Sequence, residues 1–122
     1  MTTTHGKAVE AYKTLLRMGD KSSGQDAFRF FRLKRSLKEI FDFQAEEEEK
    51  LLKKYDAVVS QNGLIVIADK DKRNEFAKAV EELSKQECEV DSIGVRQESV
   101  PTITLDEIEK LDGFVEFIGG DE

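Results

Sequence analysis

QDAFRFFRLKRSLKEIFDFQAEEEEKLLKKY, residues Gln25 to Tyr55, is one unbroken amphipathic stretch that holds five of the eight Phe and passes from basic to acidic along its length. Turning about 100° per residue places Phe30, Leu33, Leu37, Ile40, Phe41, Leu51, Leu52 and Tyr55 within an arc of roughly 120°, which is the pattern of a helix with one buried face. Gln44 and Glu48 interrupt that arc at positions where apolar residues are expected. A straight helix of this length would run about 47 Å, whereas a compact domain of this chain length has a diameter near roughly 35 Å. The helix must therefore overhang its domain, bend near Gln44 to Glu49, or be covered by another chain.

Upstream, Lys7 to Met18 reads as a shorter helix with Ala8, Tyr12, Leu15 and Leu16 on one side, stopped by Gly19. Asp20 to Gly24 forms a turn, with Ser22 or Ser23 available to cap the long helix. The two predict an antiparallel helix pair in which the first, about 18 Å long, covers only part of the second. Downstream the period changes. Val58-Val59-Ser60-Gln61 and Leu64-Ile65-Val66-Ile67 flank Asn62-Gly63 and predict a short hairpin with a type I′ turn. Asp69 or Asp71 then caps a helix to about Lys85, with Phe76, Val80 and Leu83 inward and Ala77 and Ala79 as small neighbours.

Cys88, Val90, Ile93 and Val95 suggest one extended segment whose alternation slips near Asp91-Ser92, as a bulge would make it. After Pro101, Thr104-Leu105-Asp106-Glu107 is a capping box opening a short helix with Leu105, Ile108 and Leu111 apolar. Phe114, Val115, Phe117 and Ile118 close the ordered part. The expected fold class is α+β, mainly α: an antiparallel helix pair with one long helix, a small β-hairpin or sheet, and two shorter helices. Residues 1–118 form a single domain, and 119–122 a flexible tail.

Charge divides the chain. Residues 1–44 carry nine Lys/Arg against five Asp/Glu, and residues 45–122 carry ten against twenty-one. Most of such a surface repels phosphate, so any nucleic-acid contact is confined to the basic third. Cys88 is the one cysteine, which excludes an intramolecular disulfide and a Cys-rich metal knuckle. Neither an export signal nor an apolar run of membrane-spanning length is present, and the expected compartment is a reducing cytoplasm, that of the host if the protein is viral.

No catalytic signature is found, and the chain is read as non-enzymatic, without cofactor or metal. His5, the one histidine, lies in a terminus expected to be disordered and lacks local partners for catalysis or metal binding. Asp69-Lys70-Asp71 lacks the remaining ligands of a calcium loop and serves better as a helix cap. Gly119-Gly120-Asp121-Glu122 spells most of the diguanylate cyclase signature without the much larger domain it requires, a coincidence. Glu46 to Glu49 read as a solvated surface in which Glu46 with Lys50 and Glu49 with Lys53 are favourable pairs.

Phe28 to Lys38 interleaves basic and aromatic residues, a composition that can grip a nucleic-acid backbone and stack on bases. On a helix, however, Phe30, Leu33 and Leu37 turn inward, and Arg29, Arg32 and Arg35 project to the other side. Phe28 and Phe43 also point away from the main apolar arc. Full burial of such a ring is worth roughly 1.5 to 3 kcal/mol, so they either meet the C-terminal Phe114 and Phe117 or mark a partner site. The candidate partner-binding residues are Phe28, Arg29, Arg32, Arg35 and Phe43.

Lys53-Lys54-Tyr55, Asn62-Gly63, Glu75-Phe76 with Glu82-Leu83, Glu87-Cys88-Glu89-Val90-Asp91, and Leu105 through Phe117 follow one another in an order that resembles a group of small proteins of tailed phages and prophages. The resemblance covers nearly all of the chain. The Phe-rich start of the long helix and the strongly apolar Leu64 to Ile67 depart from the group. The resemblance implies an origin and a helical-hairpin fold, and no catalytic residues. The expected function is a phage-derived protein-interaction module, acting in virion assembly or by binding and inhibiting a host protein. The alternative is a nucleic-acid-binding accessory protein using the basic helix 28–38. A protein partner or self-association is expected, and no membrane.

Overall fold

The computed structural model describes residues 1–19, 21–22 and 24–119, and their fold is α+β and mainly helical. Strand β1 (Thr2–Thr4) runs into helix α1 (His5–Met18), which is followed by the unbroken 31-residue helix α2 (Gly24–Lys54). Thr4 starts α1, its side-chain oxygen accepting the Lys7 amide at 3.3 Å and satisfying one donor that a helix start leaves free. Ala8, Ala11, Tyr12, Leu15 and Met18 form the buried face and lie antiparallel along α2. Leu16, expected on the same side, is exposed because it sits about 100° round from that face. The cap expected at Ser22 or Ser23 falls partly on Ser23, outside the described residues.

The end of α2 turns the chain into the hairpin. Ala57 donates its amide to the Leu52 carbonyl at 2.9 Å and Asp56 donates to Lys53 at 3.3 Å, with Asp56 at φ 54, which is the Schellman stop. Asp56 then holds Lys72 at 2.8 Å, tying this stop to the first turn of the next helix. Strands β2 (Val58–Val59) and β3 (Ile65–Val66) pair antiparallel, Val58 with Val66 and Val59 with Ile65. The type I′ expectation is corrected. Gly63 donates its amide to Ser60 at 2.9 Å and has φ 81, whereas Asn62 is not left-handed, so the loop is a three-residue turn closed by a glycine bulge.

Helix α3 (Lys70–Lys85) is capped by Asp69, whose carboxylate accepts the amides of Asp71 and Lys72. The segment expected as one bulged strand divides instead into β4 (Glu87–Glu89), antiparallel to β1, and β5 (Ile93–Arg96). Strand β5 pairs in parallel with β6 (Val115–Ile118). Their crossover contains a 3-10 turn (Gln97–Ser99) and helix α4 (Leu105–Lys110), as a parallel pair requires. Thr104 and Glu107 form the expected capping box. Of its apolar residues Leu111 is buried whereas Leu105 and Ile108 are exposed, and Glu107 takes a buried position because Lys21 reaches it at 2.9 Å.

The core lies where α1, the first half of α2, β5, β6 and the end of α4 meet, around Leu33, Leu37, Val95, Leu111 and Phe114. No residue of α2 beyond Gln44 is buried. Leu51, Leu52 and Tyr55 are half-covered by α3, with Tyr55 edge-on to Phe76 at 6.2 Å between ring centres. The long helix thus overhangs its core. Among the described residues no helix is long and apolar enough to cross a membrane. The expected tail falls mostly on residues 120–122, outside the described residues.

Candidate partner-binding surface

Every residue proposed from the sequence as partner-binding lies on α2, and the structure separates them into two places. Phe28 is 71 % exposed. Phe31, Arg32 and Arg35 are exposed beside it at the three-, four- and seven-residue spacings that line up along one helix face. None of the ion pairs among the described residues uses Arg32 or Arg35. Phe43 is 45 % exposed, but it lies about 22 Å farther along the axis. Phe31 was not singled out by sequence reasoning, although its position, turned well away from Leu33 and Leu37, signals exposure.

Next to Phe31 a recess of about 220 Å3 opens between the end of α1 and the start of α2. Leu15, Met18, Ala27, Phe30 and Phe31 form its apolar walls, and Gly19, Ser22 and Lys34 complete a lining that is about half polar. An apolar side chain fits such a recess, and the cations beside it favour an acidic surround. Together the recess and the stripe make one continuous surface of mixed polar and apolar character with a basic flank.

Arg29 has a structural task. Its guanidinium pairs with the buried carboxylate of Asp26, which also accepts the Arg96 amide at 2.9 Å. The Ser99 hydroxyl first, the Arg96 amide next, and Arg29 together outweigh burial and pull the Asp26 carboxyl down to about 2. Asp26 therefore locks the first turn of α2 to the end of β5. Its place was readable: it precedes Phe30 by four residues and Leu33 by seven, on the buried stripe.

Gln44, which interrupts the apolar arc, is buried as well. Its amide donates to the Ser84 hydroxyl at 3.4 Å, and its side-chain carbonyl is buried without a partner among the described residues. Gln44→Leu is expected to stabilise the fold by about 1 kcal/mol, because it removes an unpaired polar group from a site that accepts a similar volume. A urea midpoint that falls instead would mean that this carbonyl is hydrogen-bonded in solution.

The terminus expected to be disordered is ordered by pairing of β1 with β4, and His5 opens α1 with its ring edge-on to Phe43 at 5.7 Å. Among the described residues its Nδ1 has no hydrogen-bond partner. Cys88 opposes Thr3 in the strand pair, and burial first, then Glu89, push its thiol up, which disfavours the nucleophilic thiolate. Burial pushes the Glu107 carboxyl up, but the Thr104 amide and Lys21 more than offset it and hold it below its ordinary value. On the acidic run, Lys50 pairs with Glu47 rather than the expected Glu46, and Lys53 with Glu49 as expected. Among the described residues no three His, Cys, Asp or Glu side chains converge as metal ligands would.

Comparison of the chain with protein-family models, with curated proteins and with solved structures finds no match.

Proposed function

We propose that this chain is a non-enzymatic protein-interaction module, phage-derived in origin as its sequence resemblance implies, which acts in virion assembly or by binding and inhibiting a host protein. The observation that carries this reading is the exposed stripe Phe28, Phe31, Arg32 and Arg35 beside the recess between α1 and α2. Two rings left in water on a helix whose other face is well packed support a role in contact rather than in folding. The partner suited to this site presents an apolar side chain for the recess within an acidic surface, which Arg32 and Arg35 steer and the rings desolvate.

The test is a pair of substitutions, Phe28→Ser with Phe31→Ser. Partners retained by the immobilised wild-type protein should be lost, at least ten-fold in affinity by about 1.4 kcal/mol or more, while helical content and thermal unfolding stay unchanged. If the double variant unfolds, the rings belong to the core and the reading fails. If the wild type instead binds DNA or RNA with micromolar affinity that falls steeply with salt, and Arg32→Ala with Arg35→Ala abolishes it, the nucleic-acid reading takes its place.

A further inference from the structure

The hairpin at the far end of α2 carries an apolar surface that the partner site above does not use. Val58, Val59, Leu64, Ile65 and Val66 are between 49 % and 64 % exposed. In a chain where 37 % of residues are charged, the twelve residues from Ala57 to Ala68 contain no charge at all. A lone two-stranded hairpin is marginal in water, and an uncharged, apolar edge invites another strand.

The hydrogen-bond phase identifies the open groups. Ser60 donates to the Leu64 carbonyl at 2.8 Å, so Ser60 and Leu64 face each other. Antiparallel bonding alternates, so Val58 and Val66 are the next bonded pair and Val59 and Ile65 turn their amides and carbonyls to the outer edges. On β3 the outward amide and carbonyl are therefore those of Ile65, while the Gly63 amide is already given to Ser60 within the turn.

We infer that the outer edge of β3 pairs with β3 of a second copy of this chain, forming a continuous four-stranded antiparallel sheet across a two-fold axis at Ile65. The segment's own sequence fits that occupant, since a second copy brings an uncharged apolar strand of equal length to the open edge. Two chains of net charge −7 repel each other over most of their surfaces and meet with least repulsion at the one long uncharged segment each possesses. The register is self-consistent: Ile65 meets its own copy, Leu64 meets Val66, Gly63 meets Ile67, and Asp69 meets Gln61, so no like charges face each other. A charged partner gains nothing from this surface. The dimer places the two Phe28 stripes at its far ends, where one assembly can hold two copies of a partner.

Sedimentation equilibrium of the full chain tests the inference. The wild type should show a mass of about 28 kDa, twice the 13.9 kDa chain, at micromolar concentration. Ile65→Pro removes an outward amide without breaking a bond of the hairpin, and should weaken association at least ten-fold with unchanged circular dichroism. Ile65→Lys, a charge at the axis, should do the same should the proline variant fail to fold. A wild type that stays monomeric to millimolar concentration overturns the inference, as does a folded Ile65→Pro or Ile65→Lys variant that dimerises as the wild type does. These outcomes are independent of the Phe28 and Phe31 substitutions.

Discussion

Asp26→Ala is expected to lower the stability of the fold by about 2 to 4 kcal/mol at neutral pH, since it strips the Arg96 amide of its acceptor and empties a fully buried polar site. For a chain of this length that corresponds to a fall in melting temperature of roughly 10 °C. Arg29 and Arg96 are partly exposed and can turn to water, which keeps the cost below that of stranding a buried charge. The sign with pH follows from the direction of the shift. The Asp26 carboxyl is lowered from 3.8 to about 2, so its contribution is present above the unfolded value and lost as pH falls through the folded one. Wild-type protein should lose about 2 kcal/mol from this group between roughly pH 4 and pH 2. Urea unfolding of both proteins at pH 7 and near pH 2 checks this. The gap between them must narrow in acid, and a gap of constant size would mean that the carboxylate is not what joins α2 to β5.

What was legible in the sequence was local. The length of α2, the Asp69 cap and the Thr104–Glu107 capping box each depend on residues within a few positions of one another, and each stands where the spacing put it. The parallel pairing of β5 with β6 was not legible, because its partners are separated by the whole α4 crossover and nothing in either strand names the other. For the same reason Cys88 and Val95 read as one strand although they serve different sheets. At the candidate site, periodicity found Phe28, Arg32 and Arg35. It assigned Arg29 to the surface stripe because the ion pair with Asp26 depends on the approach of β5, a tertiary event. The hairpin was read correctly as a hairpin, but its exposure follows from the overhang of α2, which carries Val58 to Val66 away from the main core.

That overhang predicts unequal costs for one substitution made at two places along a single helix. Leu37 is fully buried where α1 and α2 meet the core, and Leu37→Ala should cost about 3 to 5 kcal/mol, the transfer loss plus a cavity that rigid neighbours cannot close. Leu51 is half-buried beside α3, away from the main core, so Leu51→Ala should cost under about 1.5 kcal/mol. Hydrogen exchange should show the same division. Amides around Leu33 to Ile40 should open only with global unfolding, and those from Lys50 to Lys54 by a cheaper local opening of the helix end, α3 and the hairpin. The measurement belongs in the Ile65→Lys background, where pairing with a second chain adds no protection. There Leu51→Ala should accelerate exchange at the helix end alone, whereas Leu37→Ala should accelerate it throughout. Equal protection along α2 would mean that its last turns are packed as tightly as its first, and the helix would then have no overhanging end for a second copy to use.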